Sequence, residues 1–147
     1  MAPPWWRRYG VPAASPVAGA RSAVALALIE AGVATLAVAD VDAKRCQSLV
    51  KRLAAKAPAV ARTGTTDPGG FGLVVNATPA GMDPADPLPV DVARLERSAY
   101  VADLITKPAM TPLLEAARCR GCTVVTGEDM FAAQAGDMAD ILLAPPS

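Results

Sequence analysis

The chain has 147 residues, of which 52% are hydrophobic and 19% charged, with 14 cationic and 14 acidic side chains. That is enough apolar material for one domain with a core, and the balanced charge excludes the basic footprint of a nucleic-acid binder. Histidine is absent, so acid–base chemistry or metal ligation would fall to Lys, Asp, Glu, Tyr or Cys.

No apolar run approaches the roughly 18 residues of a membrane span. The opening ten residues, MAPPWWRRYG, lack the apolar stretch of a signal peptide. A cytoplasmic domain is expected, without nucleic acid or membrane as a partner. From Arg21 the pattern becomes orderly. Ser22 to Ala31 (SAVALALIEA) are strong helix formers, apolar all round, as in a helix packed on a sheet. Gly32 has the place of its C-cap. Ala34 to Ala39 is a short apolar run with the length of a buried parallel strand, stopping at Asp40. Asp42 to Lys56 returns to helical spacing, with Leu49, Val50 and Leu53 on one face and Asp42 as the cap. Ala59 to Arg62 reads as a weak strand.

Thr63 to Gly70 (TGTTDPGG) is turn chemistry. Phe71 to Val75 is a second buried strand, ending at Asn76. A Pro- and Gly-rich loop, Thr78 to Pro89, leads to a short helix at Val90 to Leu95. Ala99 to Asp103 is a third strand, Thr111 to Arg118 a helix, Cys122 to Val125 a fourth strand, and Glu128 to Leu143 a long terminal helix. Strand and helix alternate without a hairpin signal. This predicts an α/β fold, a Rossmann-like doubly wound parallel sheet with helices on both faces. Such sheets take ligands at the carboxyl ends of their strands, and here those ends carry Asp40, Asn76 and Asp103.

A dinucleotide site begins with a strand, a glycine-rich turn and a helix, so that backbone N–H groups can approach the pyrophosphate. An acidic residue about 20 positions on then meets the ribose hydroxyls. Asp40 stands at that distance from Gly19, although an Asp at a strand end is equally often a cap or turn former. The turn itself reads Ser15-Pro16-Val17-Ala18-Gly19-Ala20. Only Gly19 fits, since Pro16 has no N–H and Val17 and Ala18 bring side chains where backbone should approach the phosphate. Pro12 and Pro16 argue against a central strand upstream, and the first strand is expected to be degraded or missing. Cys119 and Cys122 form a C-x-x-C, but no second such pair and no histidine completes a metal shell. No metal site is assigned.

Three strings make the chain recognisable: Val75-Asn76-Ala77-Thr78-Pro79-Ala80-Gly81-Met82; then Val101-Ala102-Asp103-Leu104 with Lys107-Pro108 and Thr111-Pro112-Leu113-Leu114; then Gly127, Met130 and Gln134 at fixed spacing. From about Ala23 to Leu143 the chain resembles the C-terminal domain of the shikimate dehydrogenase family. The resemblance implies a domain that binds NADP or NAD in an oxidoreductase interconverting 3-dehydroshikimate and shikimate, or dehydroquinate and quinate, in the shikimate pathway of aromatic amino acid biosynthesis. It implies that Asn76 and Thr78 line the dinucleotide site, that Leu104 and Met130 lie near the nicotinamide, and that Gln134 reaches a substrate hydroxyl. The departures are informative too. Thr106 stands where the family often has a Tyr that touches substrate. NADP users of the family typically show Asn-Arg-Thr after the second strand, whereas this chain has Asp40-Val41-Asp42. A carboxylate there accepts a free 2′-hydroxyl and repels a phosphate, so NAD is expected over NADP, with Lys44 and Arg45 the nearby cations.

The family's substrate-binding serines and its catalytic Lys and Asp pair belong to an N-terminal domain that the 147 residues do not match. No catalytic residue is therefore assigned, Asp103 included. Resemblance begins abruptly near Ala23, after a stretch rich in Pro, Ala, Arg and Trp. Residues 1–20 are expected to be disordered or out-of-frame, and 21–147 to form the dinucleotide-binding domain of a truncated enzyme. A different class of reading is a free-standing nucleotide-binding or interaction module without catalysis. A third, a methylenetetrahydrofolate dehydrogenase, is opposed by the Gly127–Gln134 string.

Overall fold

The computed structural model describes residues 11–14 and 18–132, with side chains for 22–129. Among the described residues six strands form one parallel sheet: β1 (Val11–Ala14), β2 (Leu36–Ala39), β3 (Ala61–Thr63), β4 (Leu73–Asn76), β5 (Tyr100–Asp103) and β6 (Thr123–Val125). Their order across the sheet is β3-β2-β1-β4-β5-β6, and every neighbouring pair runs parallel. This is the doubly wound arrangement, in which the order reverses between β1 and β4 and leaves a crevice at the carboxyl edge. The helices among the described residues are α1 (Ala18–Glu30), α2 (Ala43–Lys56), α3 (Pro112–Cys119) and α4 (Gly127–Ala132), with a 3-10 turn at Val92–Arg94.

Side-chain alternation along the strands divides the core in two. Leu73 and Val75 of β4, and Tyr100 and Ala102 of β5, join Val24, Leu28, Leu49 and Leu53 from α1 and α2. Val74 and Val101, one residue out of phase, join Leu95, Leu113, Leu114 and Ala117 on the α3 side. A period of two on strands buried on both faces is why these segments read as unbroken apolar runs. Asp42 caps α2 by accepting the N–H groups of Lys44 and Arg45 at 3.0 and 3.1 Å. Helix α1 ends as its composition predicts. Gly32, at φ 86°, lets its N–H meet the carbonyl of Ile29 while that of Val33 meets Leu28, and buried Val33 packs in the same cluster as Leu28, the pattern of a Schellman stop. Gly121 ends α3 in the same way, with Cys122 N–H on the Ala117 carbonyl.

The first strand resolves as degraded rather than missing. Val11–Ala14 occupies the centre of the sheet, alongside Leu36–Ala39 over its whole length but beside β4 only through Ala13 and Ala14. Pro12 thus sits where one neighbour only is engaged, and the sheet forgoes a single donor there. The sheet therefore reaches back into the segment expected to lie outside the domain. Residues 1–10 and 15–17 are outside the described residues. Helix α1 begins at Ala18, four residues before the apolar pattern announces it. The weak strand expected at Ala59–Arg62 is Ala61–Thr63, and of the long terminal helix the described part is Gly127–Ala132.

Leu114 is fully buried where α3 packs on the sheet. Leu114→Ala should cost about 2–5 kcal/mol, read from the urea midpoint of the full chain. A loss below roughly 1 kcal/mol would mean that this face of the sheet is not closed by α3.

Candidate functional site

Strand register puts the polar residues at one edge. Ala14 pairs with Ala39 on one side and with Asn76 on the other, and Asn76 pairs with Asp103. Both polar residues end strands whose preceding side chains are apolar, and both are buried, at 1% and 0% exposure. A polar group in that position must find partners. Asn76 Nδ2 donates to Asp103 Oδ1 at 3.2 Å and to the Ala80 carbonyl at 3.1 Å. Asn76 Oδ1 accepts the Thr78 N–H at 3.0 Å and the Thr78 hydroxyl at 2.6 Å. The Thr78 hydroxyl in turn accepts the N–H of Ala80 at 3.0 Å. Asp103 also accepts the Ile105 N–H at 3.0 Å and the hydroxyl of Thr111, itself fully buried, at 2.8 Å. Burial pushes the Asp103 carboxyl above its usual range, against the pull of the hydrogen bonds from Ile105, Thr111 and Asn76. One carboxylate thereby ties together the loop after β4, the exit of β5 and the N-cap of α3.

Beside this network a cleft of about 770 Å³ opens over the carboxyl ends of β2, β3 and β4, lined among others by Asp40, Gly64, Thr66, Thr78, Met82 and Leu88. That volume suits a small molecule or half a dinucleotide. Its acidic residues are Asp40, whose side chain is closed off from solvent, Asp83 and Asp86, and among the described residues no Lys or Arg lines it. Asp40 Oδ1 accepts the N–H of Asp42 at 2.8 Å and faces the Arg45 guanidinium at 3.5 Å. Arg45 also reaches Asp42 at 3.4 Å, so this cation is already bound to the two carboxylates. The far wall is fixed at both ends. Asp86 accepts the N–H groups of Gly81 and Asp83 at 3.0 and 3.2 Å. Asp91 N–H meets the Thr66 carbonyl at 2.9 Å, and Arg94 meets Asp67 at 2.7 Å. That last pair is exposed; the Arg94 hydrogen bond holds the Asp67 carboxyl below its usual range.

Of the residues singled out from sequence, Asp40, Asn76 and Thr78 come together at this edge. Leu104 is half-buried just beyond β5, its N–H on the Asn76 carbonyl at 3.0 Å. Gly19 is in the first turn of α1, the helix that follows β1. Met130 is on α4, with its side chain outside the described set, and Gln134 lies outside the described residues. Thr106 is half-buried in the loop after β5. Sequence reasoning missed Thr111 as a partner of Asp103, and Gly64–Thr66 with Met82–Leu88 as cleft walls. The signal for the walls was present, since both segments follow carboxyl ends of strands. Cys119 is exposed and Cys122 buried, each a free thiol; burial pushes the Cys122 thiol up. Among the described residues there is no group of three or more His, Cys, Asp or Glu placed to hold a metal ion, and no helix long and apolar enough to cross a membrane.

No family model matches the chain. It is 38% identical over 125 residues to a shikimate dehydrogenase (NADP(+)) of Pseudarthrobacter chlorophenolicus, covering 81% of this chain and 43% of that one. It is 39% identical over 129 residues to a quinate/shikimate dehydrogenase (NAD(+)) of Corynebacterium glutamicum, covering 81% and 44%. Among solved structures, quinate dehydrogenase from Corynebacterium glutamicum in complex with NAD superposes with a TM-score of 0.77 at 32% identity, over 92% of this chain and 50% of that one. The chain thus spans about half the length of the relatives it matches.

Two expectations follow from the geometry. A Cβ on Gly127 would lie 2.5 Å from the Ile105 carbonyl oxygen and 2.7 Å from that of Leu104. Alanine in a helix normally gains about 1 kcal/mol over glycine, but here the overlap with backbone should reverse the sign and cost about 1–3 kcal/mol. Chemical unfolding of Gly127→Ala checks it, and a stabilised variant would refute the close approach. The second concerns Asp103. The folded chain holds this proton more tightly than the unfolded one, so the stability it contributes is full at acid pH and is lost as pH rises through the raised folded value. Measured from pH 3 to 7, the parent chain should lose ground steadily against Asp103→Asn. A difference that is flat, or that grows with pH, would contradict this.

Proposed function

We propose that this chain, a relative of the shikimate and quinate dehydrogenases, forms the half of such an enzyme that holds the nicotinamide dinucleotide, and that the cofactor is NAD rather than NADP. The reaction of the whole enzyme is the NAD-dependent interconversion of shikimate and 3-dehydroshikimate, or of quinate and dehydroquinate. The observation that carries the reading is the cleft at the carboxyl edge of a β3-β2-β1-β4-β5-β6 sheet with Asp40 at the end of β2. When bound, the dinucleotide supplies the hydride exchange.

What the residues contribute is placement and polarity. Asp40 would meet the hydroxyls of the adenosine ribose through its carboxylate, as the acidic residue of such sheets does. Gly19 gives the pyrophosphate access to the start of α1. Asn76 and Thr78 would line the dinucleotide site, Thr78 on the cleft itself. Leu104 would lie near the nicotinamide, and the resemblance gives Met130 the same neighbourhood and Gln134 a contact with a substrate hydroxyl. The preference for NAD is supported by three acidic residues, and no Lys or Arg, among the described residues of the cleft lining, and by Arg45 being held on Asp40 and Asp42. A 2′-phosphate would enter that field with its charge unmatched, at a cost that grows as the site dries.

Titration of the chain with NAD and NADP, followed by heat or by cofactor fluorescence, tests the assignment. NAD should bind about tenfold tighter or more, a difference of roughly 1.4 kcal/mol. Asp40→Asn combined with Val41→Arg should move the preference toward NADP. Equal or tighter binding of NADP by the parent chain would sink the NAD assignment.

A further inference from the structure

Thr78 lines the cleft half-buried, and its hydroxyl proton has no freedom. Asn76 Oδ1 lies 2.6 Å from Thr78 Oγ1, and of these two oxygens only the hydroxyl carries a hydrogen. The alternative, an inverted amide, is excluded by its surroundings. The Thr78 backbone N–H points at Asn76 Oδ1, while Nδ2 faces the Ala80 carbonyl and the Asp103 carboxylate. Inverting the amide would set N–H against N–H on one side and oxygen against two oxygens on the other. The Thr78 proton is therefore committed to Asn76. One lone pair of the same oxygen is taken by the Ala80 N–H at 3.0 Å. A hydroxyl has one donor and two acceptor positions. What remains for the cleft is a single acceptor.

We infer that Thr78 is a specificity-determining residue that presents the cleft with a hydrogen-bond acceptor and never a donor, selecting a ligand N–H or O–H at that point and rejecting a phosphoryl or carboxylate oxygen. This rests on the cofactor reading above and sharpens it. An adenosine offers two kinds of donor, the ribose hydroxyls and the exocyclic amine of the base. A phosphate placed against Thr78 would face a lone pair with no hydrogen available, and the network that imposes this runs back to a carboxylate with no exposure to water. A threonine at a nucleotide site commonly serves phosphate as a donor; the Asn76 contact removes that option here.

The test is a calorimetric double cycle on the full chain, using ADP-ribose, its hypoxanthine counterpart in which a carbonyl replaces the amine, and its 2′-deoxy and 3′-deoxy counterparts. Thr78→Val should weaken ADP-ribose about three- to tenfold, the loss of one neutral hydrogen bond. That loss should vanish with one donor-deleted probe, which identifies the group received, and Thr78→Ser should restore the parent affinity. On the unmodified chain the same probe should bind about three- to tenfold weaker than ADP-ribose, a comparison that stands even if the valine variant melts early. Equal weakening of every probe by Thr78→Val, or no weakening at all, would overturn the polarity assignment and leave the cofactor reading intact. Failure of the unmodified chain to bind ADP-ribose or NAD would overturn both.

Discussion

A carboxylate out of contact with water organises the carboxyl edge of this sheet. Asp103 is buried beneath the edge and takes hydrogen bonds from a backbone N–H, an amide and a hydroxyl that belong to three different segments. Burying such a group is costly unless each oxygen is satisfied. The three donors are therefore not interchangeable decoration. Each segment is held at the point where its donor must stand, and the loops that follow β4 and β5 inherit their course from it. Asn76 passes the constraint on, since its amide can satisfy the carboxylate in one orientation only and so decides what Thr78 can offer.

The cleft beside this network combines a rigid polar floor with an apolar rim. Asp40 and Thr78 follow within two residues of strand ends, whereas Met82 and Leu88 belong to a segment with four prolines from Pro79 to Pro89. Asp86 fastens one end of that segment and the Asp91–Thr66 contact the other. A wall fastened by contacts within the chain spares the ordering entropy that a loose loop would lose on binding. The exposed Arg94–Asp67 pair adds little on its own terms; its service is to hold the turn after β3 beside the 3-10 turn.

Much of this was readable in the amino-acid sequence, for a physical reason. Strands buried on both faces are apolar throughout, so the runs ending at Ala39, Val75, Asp103 and Val125 announce themselves, and the caps at Asp42 and Gly32 follow from local backbone chemistry. The polar residue ending each of three strands pointed to the functional edge. The middle strand did not announce itself. Pro12 and the brevity of Val11–Ala14 weigh against a strand by local rules, and only its neighbours, β2 on one side and β4 on the other, call it into being. Nor was the Asp103–Thr111 contact visible, because a hydroxyl eight residues away meets the carboxylate only once α3 has packed. The cleft walls were recognisable as loops but not as walls, since their meeting depends on tertiary contacts such as Asp91 with Thr66.

The alternation that separates the two core clusters also governs how the chain can change in length. Val74 and Val101 point toward α3, and Asn76 and Asp103, two residues further along, point the same way. Inserting or deleting a single residue within β4 or β5 would turn the terminal polar side chain toward α1 and α2, where the surroundings are aliphatic and offer it no donor. The segments between strands carry no such parity. Length variation should accordingly accumulate in the stretches 64–71 and 83–98 while the spans 73–76 and 100–103 stay at four residues, and a polypeptide of this kind can be lengthened around its site but not through it.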